Sequence, residues 1–173
     1  MIEIVQKDDP VLRQQAQLVS LPELKSAKFK RILKDMSAAL ASQEDGVALA
    51  APQIRVPLRL FIVSSRVLLK GGKKSSKKRP PDLVFINPTL VRVSKKKKIM
   101  DEGCLSIRPL YGNVKRSEKA TIRAYDAKGQ QVEYGASGLL AQIFQHEIDH
   151  LEGILFTDKT TDIFELSNKN GKE

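Results

Sequence analysis

The stretch that decides the fold is SGLLAQIFQHEIDHLEG, residues 137–153. Ser137 offers an N-cap hydroxyl and Gly153 a C-terminal stop, so the spacing predicts a helix from about residue 137 to 151. Leu139, Leu140, Ile143, Phe144, Ile148 and Leu151 fall almost all round it. A helix that is apolar on nearly every side belongs inside a domain, packed on strands. Upstream, residues 120–125 and 131–134 flank Ala127-Lys128-Gly129-Gln130 and read as a hairpin. The runs RLFIV (59–63) and LVFINPTLVRV (83–93) have the β-branched and aromatic content of buried strands, with a bend at Asn87-Pro88. Residues 20–43 predict a first helix, with Ser20 and Glu23 as a capping box and Phe29, Ile32, Leu33, Met36 and Leu40 as one apolar face. Strands clustered between two helices make an α+β fold, and the absence of a repeat or an internal boundary predicts a single domain over 1–173.

Composition narrows the class. The chain has 173 residues, 41% of them hydrophobic and 29% charged, and no apolar run near the roughly 18 residues of a membrane span, so an integral membrane protein is excluded. The net charge of +10 is local. Six Lys or Arg fall in 70–79 and four in 95–98, and without those ten the chain has 20 basic residues against 20 acids. The stretch 70–81, built of Lys, Arg, Gly, Ser and Pro, has nothing to bury and predicts a flexible loop between strands. One cysteine, Cys104, excludes a disulfide framework. The N-terminal residues mix charges of both signs and lack an apolar stretch, so a cytoplasmic location is expected.

The chemistry sits in the neutral remainder. His146 and His150 are four apart, so both imidazoles project from one helix face toward a shared point. Two histidines placed at random in a chain this long fall four apart only about once in 90 tries, so the spacing argues for a metal. Glu147, directly after one ligand, would reach a water beside the metal. Catalytic sites commonly use three protein ligands. Cys104 in DEGCLS (101–106) is the leading third, with Asp149, Glu152 and Glu102 as carboxylate alternatives and a buried or nucleophilic thiol as the other readings of a lone cysteine. Gly103 would allow close backbone approach. A third segment, GVALAAPQ (46–53), is rich in small residues and ends in Gln53, an uncharged N–H donor. The HExxH pattern alone would equally suit a zinc metallopeptidase, and the basic runs a noncatalytic ribosome- or RNA-binding protein. Those runs lack interleaved aromatics, so no sequence-specific nucleic-acid binding is expected.

Taken together, GVALAAPQ, EGCLS (102–106) and QHEIDH (145–150) resemble, in order, the three motifs of the peptide deformylases, and the likeness extends from VQKDDPVLRQQA to GILF at 153–156. The resemblance implies an α+β fold with antiparallel strands around a central helix carrying HEIDH. It implies Cys104, His146 and His150 as ligands of one divalent ion, Fe²⁺ first, with Zn²⁺, Ni²⁺ or Co²⁺ accepted. Glu147 would be the acid/base, and Gln53 with the Leu105 backbone N–H the oxyanion hole. Gly46, Val47 and Ala48 would border the substrate. The implied reaction is removal of the formyl group from formyl-methionyl nascent chains by metal-hydroxide attack, and the basic segments 70–79 and 95–98 would favour a place at the ribosome. Three departures stand out. Ala48 replaces a glycine that lines the family's substrate groove, where a methyl would narrow the groove or strain the backbone if φ were positive. Pro109 lies one position later than the family's proline, which leaves Arg108 placed to meet substrate carbonyls. Only 17 residues follow Phe156, too few for the long C-terminal helix of some members.

Overall fold

Local chemistry sets where each element begins. The computed structural model describes residues 2–68, 80–160 and 162–165. The basic run 70–79 lies outside them, and of the expected 70–81 loop only Pro80 and Pro81 are described, in irregular backbone. The first helix is shorter than its sequence pattern. Of the expected capping box only half is present, the Glu23 carboxylate accepting from the Ser20 N–H at 3.3 Å, and it opens a 3-10 turn over Leu21–Lys25. The backbone then extends at Ser26, whose hydroxyl accepts from Phe29 N–H at 3.0 Å and caps α1 (Ala27–Ala41). The break has a geometric cause. On one continuous helix Leu24 and Phe29, five residues apart, would point about 140° apart. With the chain interrupted at Ser26 both enter the same core cluster, together with Met36, Leu40, Leu60 and Ile62.

Eight strands follow: β1 (Ala48–Ala50), β2 (Leu60–Val63), β3 (Leu83–Val93), β4 (Lys97–Gly103), β5 (Leu110–Ser117), β6 (Lys119–Tyr125), β7 (Gln131–Ser137) and β8 (Ile163–Glu165). They form a five-stranded sheet, β1-β2-β3-β6-β7, and a three-stranded sheet, β4-β5-β8, with antiparallel neighbours throughout. The chain leaves the first sheet after β3 and returns at β6, so the β4–β5 hairpin is an excursion between paired strands. The predicted bend in β3 is a register shift after Ile86. Asn87 there takes φ 51° while its amide bonds both the N–H and the C=O of Val19. Lys97 and Lys98 of the basic run lie in β4 with solvent-exposed side chains.

Between the sheets runs α2 (Leu139–Leu151), touching β1, β3, β6 and β7 of one and β5 of the other. Its N-cap lies one residue later than the sequence pattern places it. Ser137 pairs with Lys119 in the β6–β7 ladder, so it is not available as the cap, and Gly138 makes the turn at φ 59°, ψ −135°. A side chain is strained at that φ, which explains the glycine. At the other end Gly153 takes φ 72°, and a Cβ there would lie 2.7 Å from the Arg13 carbonyl oxygen. Phe144 anchors the helix on the five-stranded sheet through rings of Phe61, Phe85 and Tyr134, centroids 5.3–6.2 Å away. With that face held, His146, Glu147 and His150 are fixed relative to β1 and β4.

Candidate active site

Three segments distant in sequence meet beside α2. The i, i+4 spacing brings the His146 and His150 rings to 4.8 Å between centroids, at 84°. Cys104, just past the end of β4, places Sγ 3.1 Å from His150 Nε2. The ligand atoms of Cys104, His146 and His150 all lie within 4.8 Å of one another, which suits one ion at bond lengths of about 2.0–2.3 Å. They form the one such His/Cys/Asp/Glu group among the described residues. The carboxylates weighed as alternative ligands are engaged elsewhere. Asp149 pairs with Arg116 at 2.6 Å and Lys159 at 2.7 Å, and Glu152 with Arg59 at 2.7 Å.

Glu102, the other alternative, lies behind the cluster. One of its oxygens is 2.7 Å from His146 Nδ1, and both accept from Arg116, at 2.9 and 2.5 Å. That bond takes the far nitrogen of His146 and leaves Nε2 for the cluster, the arrangement in which an outer carboxylate orients a metal-binding imidazole. Burial alone would raise the Glu102 pKa, but hydrogen bonds from His146 and Arg116 hold it well below the usual carboxylate range. Arg116 and its link through Asp149 to Lys159 carried no local sequence signal. The alternation of β5 places Arg116 on the buried face, and only the tertiary contacts show why a guanidinium is there.

The cluster favours positive charge at its centre. Burial would raise the Cys104 thiol, yet the neighbouring charge of His150 and hydrogen bonds from both imidazoles bring it down to about 5. His146 is pushed well above its ordinary value, its burial outweighed by Cys104 and Glu102. A thiolate facing two imidazoles is a site where a metal ion can replace protons. Glu147, 3% exposed, lines the adjoining cavity, and its Oε2 has no hydrogen-bond partner among the described residues. Its pKa is raised to about 7 by burial, with the two histidine charges opposing. A buried carboxylate oxygen without a partner needs a water or a ligand group.

Gln53 follows β1 in a 3-10 turn and is also buried. Its Oε1 accepts from Ala50 N–H at 2.9 Å, which fixes the amide so that Nε2 points toward Cys104 Sγ, at 3.5 Å, and Ser106 Oγ, at 3.1 Å. Gly46, Val47, Ala48 and Leu105 line the same cavity of about 520 Å³. Ala48 is not strained. Among the described residues the positive-φ residues other than glycine are Arg55 and Asn87, so of the two expected effects of this methyl only narrowing of the groove is left. The packing predicted at Gly103 is present, since a Cβ there would sit 2.5 Å from the Tyr111 ring.

Known proteins resemble this chain in sequence and fold. A family model described as polypeptide deformylase matches residues 1–165. The peptide deformylase of Desulforudis audaxviator is 37% identical over 164 residues, covering 95% of this chain and 96% of that protein. A peptide deformylase from Synechococcus elongatus in complex with actinonin superposes with a TM-score of 0.79 at 33% identity, covering 93% of this chain and 79% of that one. A Met-Ala-Ser-bound peptide deformylase from Acinetobacter baumannii gives the same TM-score at 30% identity, covering 91% and 97%. The chain belongs to the polypeptide deformylase family.

Proposed function

We propose that this chain hydrolyses the N-formyl amide of formyl-methionyl peptides at one divalent ion held by Cys104, His146 and His150. The observation that carries the reading is the meeting of those three ligand atoms beside a buried, under-bonded Glu147 in an open cavity. The thiolate separates it from a zinc metallopeptidase, whose HExxH helix would be completed by another donor. When bound, the ion supplies Lewis acidity and lowers the pKa of water toward about 7. Fe²⁺ is our assignment, with Zn²⁺, Ni²⁺ or Co²⁺ compatible with a mixed thiolate and imidazole set.

The protein's own groups do the rest. Glu147, poised near neutrality, takes a proton from the attacking water at Oε2 and returns it to the departing amine nitrogen. Gln53 Nε2, held by the Ala50 contact, and the Leu105 backbone N–H donate to the tetrahedral oxyanion. Formate and a free α-amino group result. Among the described residues β1 is an edge strand that pairs with β2, so an extended peptide can lie along it at Ala48, with Gly46 and Val47 lining the cavity just before the strand. Half-exposed Leu139 and buried Ile143 give the cleft an apolar wall for the methionine side chain. The Met-Ala-Ser bound to the Acinetobacter baumannii relative fits this substrate class.

We place the enzyme in the cytoplasm, acting on nascent chains, with lysines 95–98 and the run at 70–79 favouring salt-sensitive contact with ribosomal RNA. Release of formate from formyl-Met-Ala-Ser, abolished by a chelator and restored by Fe²⁺, is the expected result. Endopeptidase activity without formate release would overturn the reading.

A further inference from the structure

The groups used so far lie on the floor of the cleft, and its mouth carries a pair that the reaction leaves unused. Arg108 Nη2 and Asp45 Oδ1 form an ion pair, with side chains 45% and 58% exposed, and both residues line the cavity that holds Cys104 and Glu147. Asp45 stands in the connection from α1 to β1, at the edge of the five-stranded sheet. Arg108 follows β4, at the edge of the three-stranded sheet. The pair therefore joins the two rims across the mouth. Among the described residues Arg108 is the one Lys or Arg lining the cavity, while exposed Asp101 also faces it. Without the guanidinium the mouth would be acidic.

We propose that the Asp45–Arg108 pair is a specificity-determining rim that makes the cleft indifferent to the charge of the residues following formyl-methionine. The proposal rests on the deformylase reading, in which the peptide leaves the cleft across this mouth. A Lys or Asp side chain in the passing peptide meets two opposite charges already in contact, so the attraction of one is cancelled by the repulsion of the other. The pair then acts through balance. Asp45→Asn exposes an unpartnered guanidinium and should favour acidic peptides. Arg108→Gln leaves Asp45 without its cation and should favour basic ones.

The test is the ratio of kcat/KM for formyl-Met-Asp-Ser over formyl-Met-Lys-Ser, repeated with the charge at the third residue. The wild type should hold both ratios within about twofold. Asp45→Asn should raise the ratio, and Arg108→Gln lower it, by about two- to fivefold, the worth of one exposed ion pair. Both shifts should shrink in about 0.5 M salt, where the Debye length is only a few ångströms. A ratio is unaffected by partial loss of folded enzyme, so ratios that stay at the wild-type value, or move in the same direction in both variants, overturn the rim proposal alone. A wild type that releases no formate from either peptide overturns the deformylase reading and the rim with it.

Discussion

Replacing Glu102 by Gln tests the architecture behind the metal ligands. The carboxylate is 4% exposed and receives four hydrogen bonds: from His146, two from Arg116, and a longer one from Gln142 at 3.5 Å. Glutamine keeps the shape but has a single acceptor oxygen and brings an NH₂ that must face the Arg116 or His146 donors. Arg116, itself 4% exposed at the side chain, would retain only Asp149 as a close anion. Breaking a buried ion pair from one side costs about 3–5 kcal/mol. For a domain of this size each kcal/mol lowers Tm by about 2–4 °C, so the metal-free variant should melt roughly 10 °C lower. Loss of the carboxylate behind His146 should also weaken the metal about 10- to 100-fold. Thermal unfolding of the metal-free proteins and competition with a chromogenic chelator measure the two effects. A shift below about 2 °C together with unchanged metal affinity would refute the view that Glu102 both neutralises Arg116 and aims His146.

Other predictions address single residues. Glu147→Ala should bind the metal normally and lose at least about 10²-fold in kcat, the scale of a missing acid/base, as read by formate release on metal-loaded enzyme; near-normal turnover would remove Glu147 from the mechanism. Gln53→Ala deletes an oxyanion donor and should lower kcat by about 10²- to 10³-fold with metal content unchanged. Asp158 is held below its ordinary 3.8 chiefly by the hydrogen bond from Arg13, so its contribution is fully present above pH 3.8 and is lost as the pH falls through the depressed folded value. The pair is half exposed and worth at most about 1 kcal/mol, so the stability gap between wild type and Asp158→Asn, from urea unfolding, should be small at pH 7 and narrow toward pH 3. A gap that widens on acidification would contradict that assignment.

What was legible in the sequence was what depends on local spacing. The i, i+4 histidines, the glutamate between them and the all-round apolar α2 follow from helix periodicity, and the strands at 60–63 and 83–93 from their β-branched runs. Element starts were less legible because two hydroxyls competed for a cap. Ser20 opens a 3-10 turn and Ser26 the helix, and the choice was made by the need to bury Leu24 and Phe29 together. At α2, pairing of Ser137 with Lys119 passed the turn to Gly138. β4 and β5 were not anticipated, since Lys97 and Lys98 hide the strand pattern and only the ladder to Arg116 and Ser117 reveals it.

The site divides in the same way. The donor types are written in the chain: one thiol and two imidazoles, with Glu147 beside them. Their convergence is not, because the position of Cys104 relative to α2 depends on β4 and β5 lying on one face of the helix while Phe144 anchors the other. The tertiary structure also decided which carboxylates stay out of the ligand set, pairing Glu102, Asp149 and Glu152 with arginines contributed by β5 and by the segment before β2. Periodicity speaks for residues within a few turns of one another. A buried charge finds its partner across the fold, because leaving it without one costs more than almost any local preference can supply.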